Sequence, residues 1–332
     1  MNSPSLSLTS AELVTALAAV RAAAAVCQSI RASFSPDSLA KSDRSPVTIA
    51  DFGSQAVVCR ELSHTFPHDP IIAEEDSAIL QNEEHAPFLH RIHEEICRQC
   101  IEASPDQICH WIDRGNASEF SDRFWTLDPI DGTKGFLRGG QYAIALALIV
   151  NGQIELGVLG CPQLPWQSDD TESTGGLFYA VRGQGAYALP LVGDAEPQQI
   201  FVNQSANPQI GRFCESVESG HSAQDTAALL ASKLGISRSP LRMDSQAKYA
   251  TVARGEADLY LRLPTRADYR EMIWDHAGGA ILVEEAGGRV TDVDGHPLDF
   301  RKGRQLLANR GVVASSGHYH DAVIATLQEI GV

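Results

Sequence analysis

Asn151-Gly152 stands between two apolar runs, QYAIALALIV and QIELGVLG. An Asn-Gly pair in that setting signals a two-residue hairpin turn, because both positions accept positive φ and the turn's twist matches that of its strands. The two runs are therefore expected to pair antiparallel. A second hairpin follows, GGLFYAV and AYAL about the turn RGQG. The polar stretch PQLPWQSDDTESTGG between the hairpins, with its acidic residues 167–173, reads as a surface loop.

The flanking sequence has a different texture. Thr9-x-x-Glu12 forms a capping box ahead of apolar residues at Leu13, Leu17, Val20, Ala24, Cys27 and Ile30, predicting an amphipathic helix to about Phe34. VTIADFGSQAVVCRELSHTF predicts a second helix with Asp51 in its first turns, and residues 83–110 read as helical and polar. Within them HEEICRQCIEASPDQIC is expected to be one amphipathic helix whose cysteines face the apolar side. DPIIAEED and FWTLDPIDGT are apolar strands that end in acids. After about residue 200 strand and helix alternate: RFCESV, AQDTAALLASKLG, PLRMD, SQAKYATVARG, ADLYLRL, a helix EMIWDHAGGAILVEEAGG closed by Gly287-Gly288, and RVTDV. An α/β protein of layered sheets and helices is expected. At 332 residues it exceeds the usual growth of one core, so two units are expected, 1–204 and 205–332.

Charge narrows the function. The chain carries 42 acidic against 26 basic residues, a formal net charge of −16, which argues against nucleic acid as a partner because that needs a basic stripe. It leaves room for a small anionic ligand where local cations or a metal reverse the sign within one cleft. Seven scattered cysteines suit a reducing compartment. The longest purely apolar run is AIALALIV, so no membrane partner is expected, and with no signal-peptide start the expected location is the cytoplasm.

The acids at the strand ends carry the chemistry. In LDPIDGT, Pro129 holds Asp128 extended and Gly132 supplies the positive φ of a sharp turn. In such a turn the carboxylates of Asp128 and Asp131 and the Ile130 carbonyl can converge, and hard oxygen donors without His or thiolate select Mg²⁺, Ca²⁺ or Mn²⁺. A hydrated turn with two solvated acids is the alternative for a bare DxxDG. Glu74-Glu75-Asp76 end another strand, and Asp275 sits in IWDHAGG beside Trp274, His276 and Gly278-Gly279, which points to a packed rather than wet helix start. Strand-end acids at two places plus a helix-start acid are a usual way to assemble a two-metal phosphoryl-transfer centre, with Asp51 and the Thr133 hydroxyl as a pair to activate water.

The blocks WTLDPIDGTKGF, AEEDS and WDHAGGAILVEEAGG resemble the signatures of the lithium-sensitive, magnesium-dependent phosphatase superfamily that includes inositol monophosphatase. SPVTIADFGSQ, VESGHS, DSQAKYA and LYLRLP resemble its bisphosphate nucleotidase branch, and the likeness covers about residues 10–320. The resemblance implies a layered αβαβα sandwich with two sheets. It implies metal ligation by Glu74, Asp128, Asp131 and Asp275 with the Ile130 carbonyl, catalysis by Asp51 and Thr133, and two or three Mg²⁺ ions with Li⁺ inhibition. Substrate contacts would be Thr133, His221, Ser245, Lys248, Arg262 and Asp275. The activity implied is conversion of adenosine 3',5'-bisphosphate to AMP and phosphate, with the sulfated nucleotide and inositol 1,4-bisphosphate as further substrates; an inositol polyphosphate 1-phosphatase is the alternative. The partner expected is a small phosphorylated nucleotide, and a monomer is expected, other oligomers being left open. Read without the resemblance, Lys248 is also consistent with a solvated helix lysine, His221 with an exposed loop and Arg262 with a solvated strand face.

Overall fold

The computed structural model describes residues 10–33, 45–168, 175–207, 210–217, 224–264, 266 and 268–332. The helices are α1 (Ala11–Ser33), α2 (Ser45–Thr65), α3 (Ala86–Arg98), α4 (Pro105–Asp113), α5 (Thr133–Arg138), α6 (Gln224–Leu234), α7 (Ala247–Ala253), α8 (Ala277–Glu285) and α9 (His320–Glu329). The first sheet runs in chain order: β1 (Ile71–Ala73), β2 (Arg123–Asp131), β3 (Ala143–Val150), β4 (Gln153–Cys161), β5 (Gly176–Val181), β6 (Gly185–Pro190) and β7 (Gln198–Ile200). Its β1 and β2 are parallel and every later neighbour is antiparallel. The second sheet comprises β8 (Phe213–Glu215), β9 (Leu241–Arg242), β10 (Leu259–Arg262), β11 (Arg289–Thr291) and β12 (Val312–Ser315), in the order β11-β12-β10-β8-β9. Both expected hairpins form, with Asn151 at φ 53° and Gly152 at φ 79° in the first turn.

The layers follow from side-chain size. Along β3, Ile144, Leu146 and Leu148 enter the core shared with α1 and α2, while Ala143, Ala145 and Ala147 face the opposite core with α7 and α8. Small residues on that face let α8 approach: a Cβ at Gly157 would lie 2.5 Å from Ile281 Cγ2 and 2.7 Å from the Gly278 carbonyl oxygen. Helices α7 and α8 also meet the second sheet, whose other face packs Leu230 of α6 and Val323 and Leu327 of α9 against Leu259, Leu261 and Val313. The result is the expected αβαβα sandwich.

The expected Thr9 capping box lies outside the described residues, within which Leu13 N–H donates to Ser10 Oγ at 3.3 Å. Two local expectations need correction. Helix α1 is long and apolar enough to cross a membrane by length and composition, although no unbroken apolar run in it is. Its apolar residues, Leu13, Val20, Cys27 and Ile30 among them, are taken up by the protein's own core. The HEEICRQC stretch is two helices rather than one, because Cys100 turns to φ 59° and Ser104 starts α4 with a capping box to Gln107. Ile92 and Ile96 form the buried side of α3, so Cys97 and Cys100 are exposed. All seven thiols are free; burial pushes Cys59, Cys161 and Cys214 up to about 12.

Candidate active site

The C-terminal ends of β1 and β2 lie side by side, with Ala73 opposite Leu127, and this places Glu74 next to Asp128. The three acids after β1 divide the work. Glu75 is held by its backbone, its N–H donating to Gln55 Oε1 at 3.0 Å and its carbonyl accepting from Gln55 Nε2. Asp76 caps a 3₁₀ turn through Ala78 N–H, leaving Glu74 to the cleft.

The Asp128–Asp131 spacing is resolved by a bulge. On a regular strand residues three apart face opposite sides. Here Asp128 pairs with Ala145 and Asp131 with Ala143, so β2 spends one residue more than β3 and both carboxylates reach the same cleft. The sequence reading put both acids within a tight turn; instead the strand continues through Asp131 and the turn falls at Gly132, φ 89°. Pro129 fits the bulge because it has no N–H to lose, and its carbonyl accepts from Ser54 Oγ of α2 at 2.8 Å. The Ile130 side chain is buried in the helix-side core, and the residue also lines the cleft.

Asp275 comes from the second half of the chain. The stretch predicted as one helix is a 3₁₀ turn, Ile273–Asp275, and then α8, broken at His276. Gln246 ties this break to Asp131: its N–H donates to Asp131 Oδ2, its side-chain amide donates to the Trp274 carbonyl at 2.8 Å, and its Oε1 accepts from Gly279 N–H at 3.1 Å. Asp275, Glu271 and His276 place ligand atoms within 4.8 Å of one another. Glu271 and His276 are engaged elsewhere, Glu271 with Arg262 Nε at 3.3 Å and with His276 Nε2 at 3.2 Å, and His276 Nδ1 with the Tyr249 hydroxyl at 2.7 Å.

The carboxyl groups feel one another. Burial, then Glu74, Asp131, Asp275 and Asp51, hold Asp128 well above the usual carboxylate range. Burial followed by Glu75 and Asp131 raises Glu74 to about 7; the residue is exposed at the rim, but its carboxyl group lies against Asp128 inside the cleft. Asp275 is likewise raised to about 7 by burial, with His276 opposing and Asp131 and Glu74 adding to the rise. Burial raises Asp131 as well, restrained by Lys248. Asp51, on α2, is 8% exposed and stands behind the lining, and burial, Glu75 and Glu74 raise it strongly. Asp128 Oδ1 is buried with no partner. A group of mutually repelling carboxyls with an unpartnered oxygen fits a cation, and an all-oxygen donor set suits a hard one.

Cations line the same cleft, of about 420 Å³, close enough to Asp131 to interact with it. Lys248 is buried with Nζ 5.0 Å from the Tyr260 ring centre and, among the described residues, a long hydrogen-bond contact of 3.5 Å to the Met243 carbonyl. Burial lowers its pKa, and Asp131 opposes that. Arg262 joins it from β10, pinned by Glu271. Ser245 holds φ 67° in the turn before α7 and lines the cleft with Thr133.

A profile of the inositol monophosphatase family matches residues 11–331. The chain belongs to that family. It is 45% identical over 334 residues to the Schizosaccharomyces pombe protein named 3'(2'),5'-bisphosphate nucleotidase, with 95% of each chain covered. It is 41% identical over 331 residues to the Arabidopsis thaliana protein named probable 3'(2'),5'-bisphosphate nucleotidase 4, covering 96% of this chain and 94% of the relative. Among solved structures, an inositol monophosphatase from Anabaena matches with a TM-score of 0.62 at 23% identity over 96% of this chain and 95% of the other. That likeness shows the family fold.

The structure brings Glu74, Asp128, Ile130, Asp131, Thr133, Ser245, Lys248, Arg262 and Asp275 to one cleft. His221 and most of VESGHS lie outside the described residues, as do residues 169–174 of the acidic loop. Tyr260, Asp244, Leu137 and Ser216 also line the cleft and were missed by sequence reasoning. Tyr260 was open to detection, since it lies two residues before Arg262 and so on the same strand face.

Proposed function

We propose that this chain is a Mg²⁺-dependent phosphomonoesterase that removes the 3'-phosphate of adenosine 3',5'-bisphosphate, leaving AMP. The observation that carries the reading is the presence within one cleft of an acid cluster holding an unpartnered Asp128 oxygen and of the cations Lys248 and Arg262. A substrate with phosphates at two ends needs two such sites. The names of the relatives in Schizosaccharomyces pombe and Arabidopsis thaliana support the same substrate.

Glu74, Asp128, Asp131, Asp275 and the Ile130 carbonyl would hold Mg²⁺. When bound, the ion supplies charge neutralisation at the phosphoryl group and at the attacking and departing oxygens. Lys248 and Arg262 bind and orient the second phosphate, which places the scissile ester against the acids. Ser245 Oγ contacts the nucleotide beside them, and His221 is assigned to the same role. A carboxylate oxygen of Asp51 takes the proton of the attacking water through the Thr133 hydroxyl. The Tyr260 ring and Leu137 cover apolar surface in the cleft and exclude bulk water. The sulfated nucleotide and inositol 1,4-bisphosphate are further substrates in this reading, and Li⁺ inhibits.

The test is phosphate release from adenosine 3',5'-bisphosphate, inositol 1-phosphate and inositol 1,4-bisphosphate with and without Mg²⁺. The nucleotide is expected to have the highest kcat/KM, abolished by EDTA and reduced by Li⁺. Turnover of the inositol phosphates without turnover of the nucleotide overturns the assignment.

A further inference from the structure

Arg304 lies outside the cleft lining, yet it touches the two segments that deliver acids from opposite ends of the chain. Its Nη2 donates to the Ala73 carbonyl at 2.7 Å, the residue immediately before Glu74. Its guanidinium carbon stands 4.6 Å from the centre of the Trp274 ring, the residue immediately before Asp275. The Arg304 carbonyl accepts from Ile273 N–H at 3.0 Å, and Nη1 reaches the Ala117 carbonyl at 3.3 Å, on the segment flanking β1. Gly303 makes this placement possible: it adopts φ 77°, and a Cβ there would meet the Ser118 carbonyl oxygen at 2.7 Å.

We propose that Arg304 is a positioning residue that fixes the span between Glu74 and Asp275, and so the geometry in which the acid cluster takes a divalent cation. The inference rests on the metal-dependent reading above. Without Arg304, Glu74 just after β1 and Asp275 on the 3₁₀ turn share no described hydrogen-bonded link of this kind, since Gln246 ties Asp275's turn to Asp131 and Gln55 ties Glu75 to α2. The guanidinium suits the task because a planar fork can serve two carbonyls while its face stacks on an indole. Its charge also lies close enough to Glu74 and Asp76 to interact with both. Lysine retains the charge but has neither the fork nor the stacking plane, so Arg304→Lys separates placement from charge.

The experiment is calorimetric titration of Mg²⁺, and of Mn²⁺ as a second probe, into the intact apo protein and into Arg304→Lys, without substrate. Partners of ligand-bearing groups typically change metal affinity by about 10–100-fold when replaced, and a weakening of about ten-fold is expected here. At subsaturating Mg²⁺ the variant loses turnover, and at saturating Mg²⁺ its kcat recovers with the nucleotide KM unchanged. A merely structural defect would lower activity at every Mg²⁺ concentration. If Arg304→Lys does not fold, as judged by unfolding in EDTA, Trp274→Phe keeps the guanidinium and weakens the stack, and a smaller loss of affinity in the same direction is expected. Unchanged Mg²⁺ affinity in the folded variant overturns the role of Arg304 alone. Failure of the unmodified protein to bind Mg²⁺ or Mn²⁺ overturns the metal-dependent reading and this inference with it.

Discussion

The acid cluster should make the metal-free protein lose stability as pH rises through neutrality. Glu74 and Asp275 are each raised to about 7 in the fold, against ordinary values of 4.5 and 3.8. A carboxyl whose folded pKa lies above its unfolded one binds its proton more tightly when folded. Its stabilising effect is complete below the unfolded value and is lost as pH climbs through the folded one. His320 works in the opposite direction lower down. It is buried between Thr291 Oγ1 and Ser315 Oγ, each at 2.8 Å, and burial depresses it to about 4, so stability rises with pH until its unfolded value near 6.5 is passed. The window from about pH 6.5 to 8 lies above the histidine and below the thiols, and Asp128 and Asp51, also raised by burial, act in the same direction as Glu74 and Asp275.

Across that window, titration of a single group at about 7 removes roughly 0.8 kcal/mol. Asp275 should contribute close to that, and Glu74 less because its exposed side is screened by solvent, so these two groups together give a fall of at least about 1 kcal/mol. For a chain of this length that is a fall in Tm of about 1–2 °C. Thermal and urea unfolding in EDTA at the two pH values measures it. With Mg²⁺ present the fall should vanish or reverse, because cation binding favours the deprotonated acids and stabilises by mass action. Asp275→Asn should flatten the EDTA profile. Stability in EDTA that is flat or rising over the window, or Mg²⁺ stabilisation equal at both ends, would refute the argument that these carboxyls are held together for a cation.

Asp51→Asn should retain Mg²⁺ affinity by calorimetry while losing about two orders of magnitude or more in kcat, since it touches water activation rather than ligation; a large loss of Mg²⁺ affinity would contradict the role. Lys248→Ala should raise KM for adenosine 3',5'-bisphosphate at least about ten-fold more than for 3'-AMP, as expected for loss of a charge-assisted contact to the second phosphate; equal effects would remove Lys248 from that site. Gly279→Ala should cost about 2–3 kcal/mol or prevent folding, because the new Cβ would lie 2.3 Å from the Tyr249 ring between α8 and α7. Urea unfolding checks it, and a change below about 0.5 kcal/mol would show that the two helices can part cheaply.

What could be read from the chain depended on whether a residue's partner lay in local sequence. The Asn151-Gly152 turn announced its hairpin because both strands adjoin it, and the acids ending DPIIAEED and LDPIDGT stood out because charge at the end of an apolar strand is locally anomalous. The convergence of Asp128 and Asp131 was anticipated for a different geometry. A tight turn was expected, whereas a bulge against β3 re-phases the strand, and that depends on the register with Ala145 and Ala143. The one-helix reading of HEEICRQCIEASPDQIC failed for the converse reason: its periodicity was followed past a capping box at Ser104 that ends it. The residues that hold the acids in place gave no local signal. Gln55, Gln246 and Arg304 all act on backbone groups of distant segments, and a backbone carbonyl such as that of Ala73 leaves no trace in its side chain. In the proposed reading, identity of the acids sets which cation and phosphate chemistry is possible, while the side chains clamping the backbone beside them set how tightly the cation is held. The two classes should separate experimentally. Variants of the acids should abolish cation binding, and variants of the clamps should shift its affinity while sparing saturated turnover.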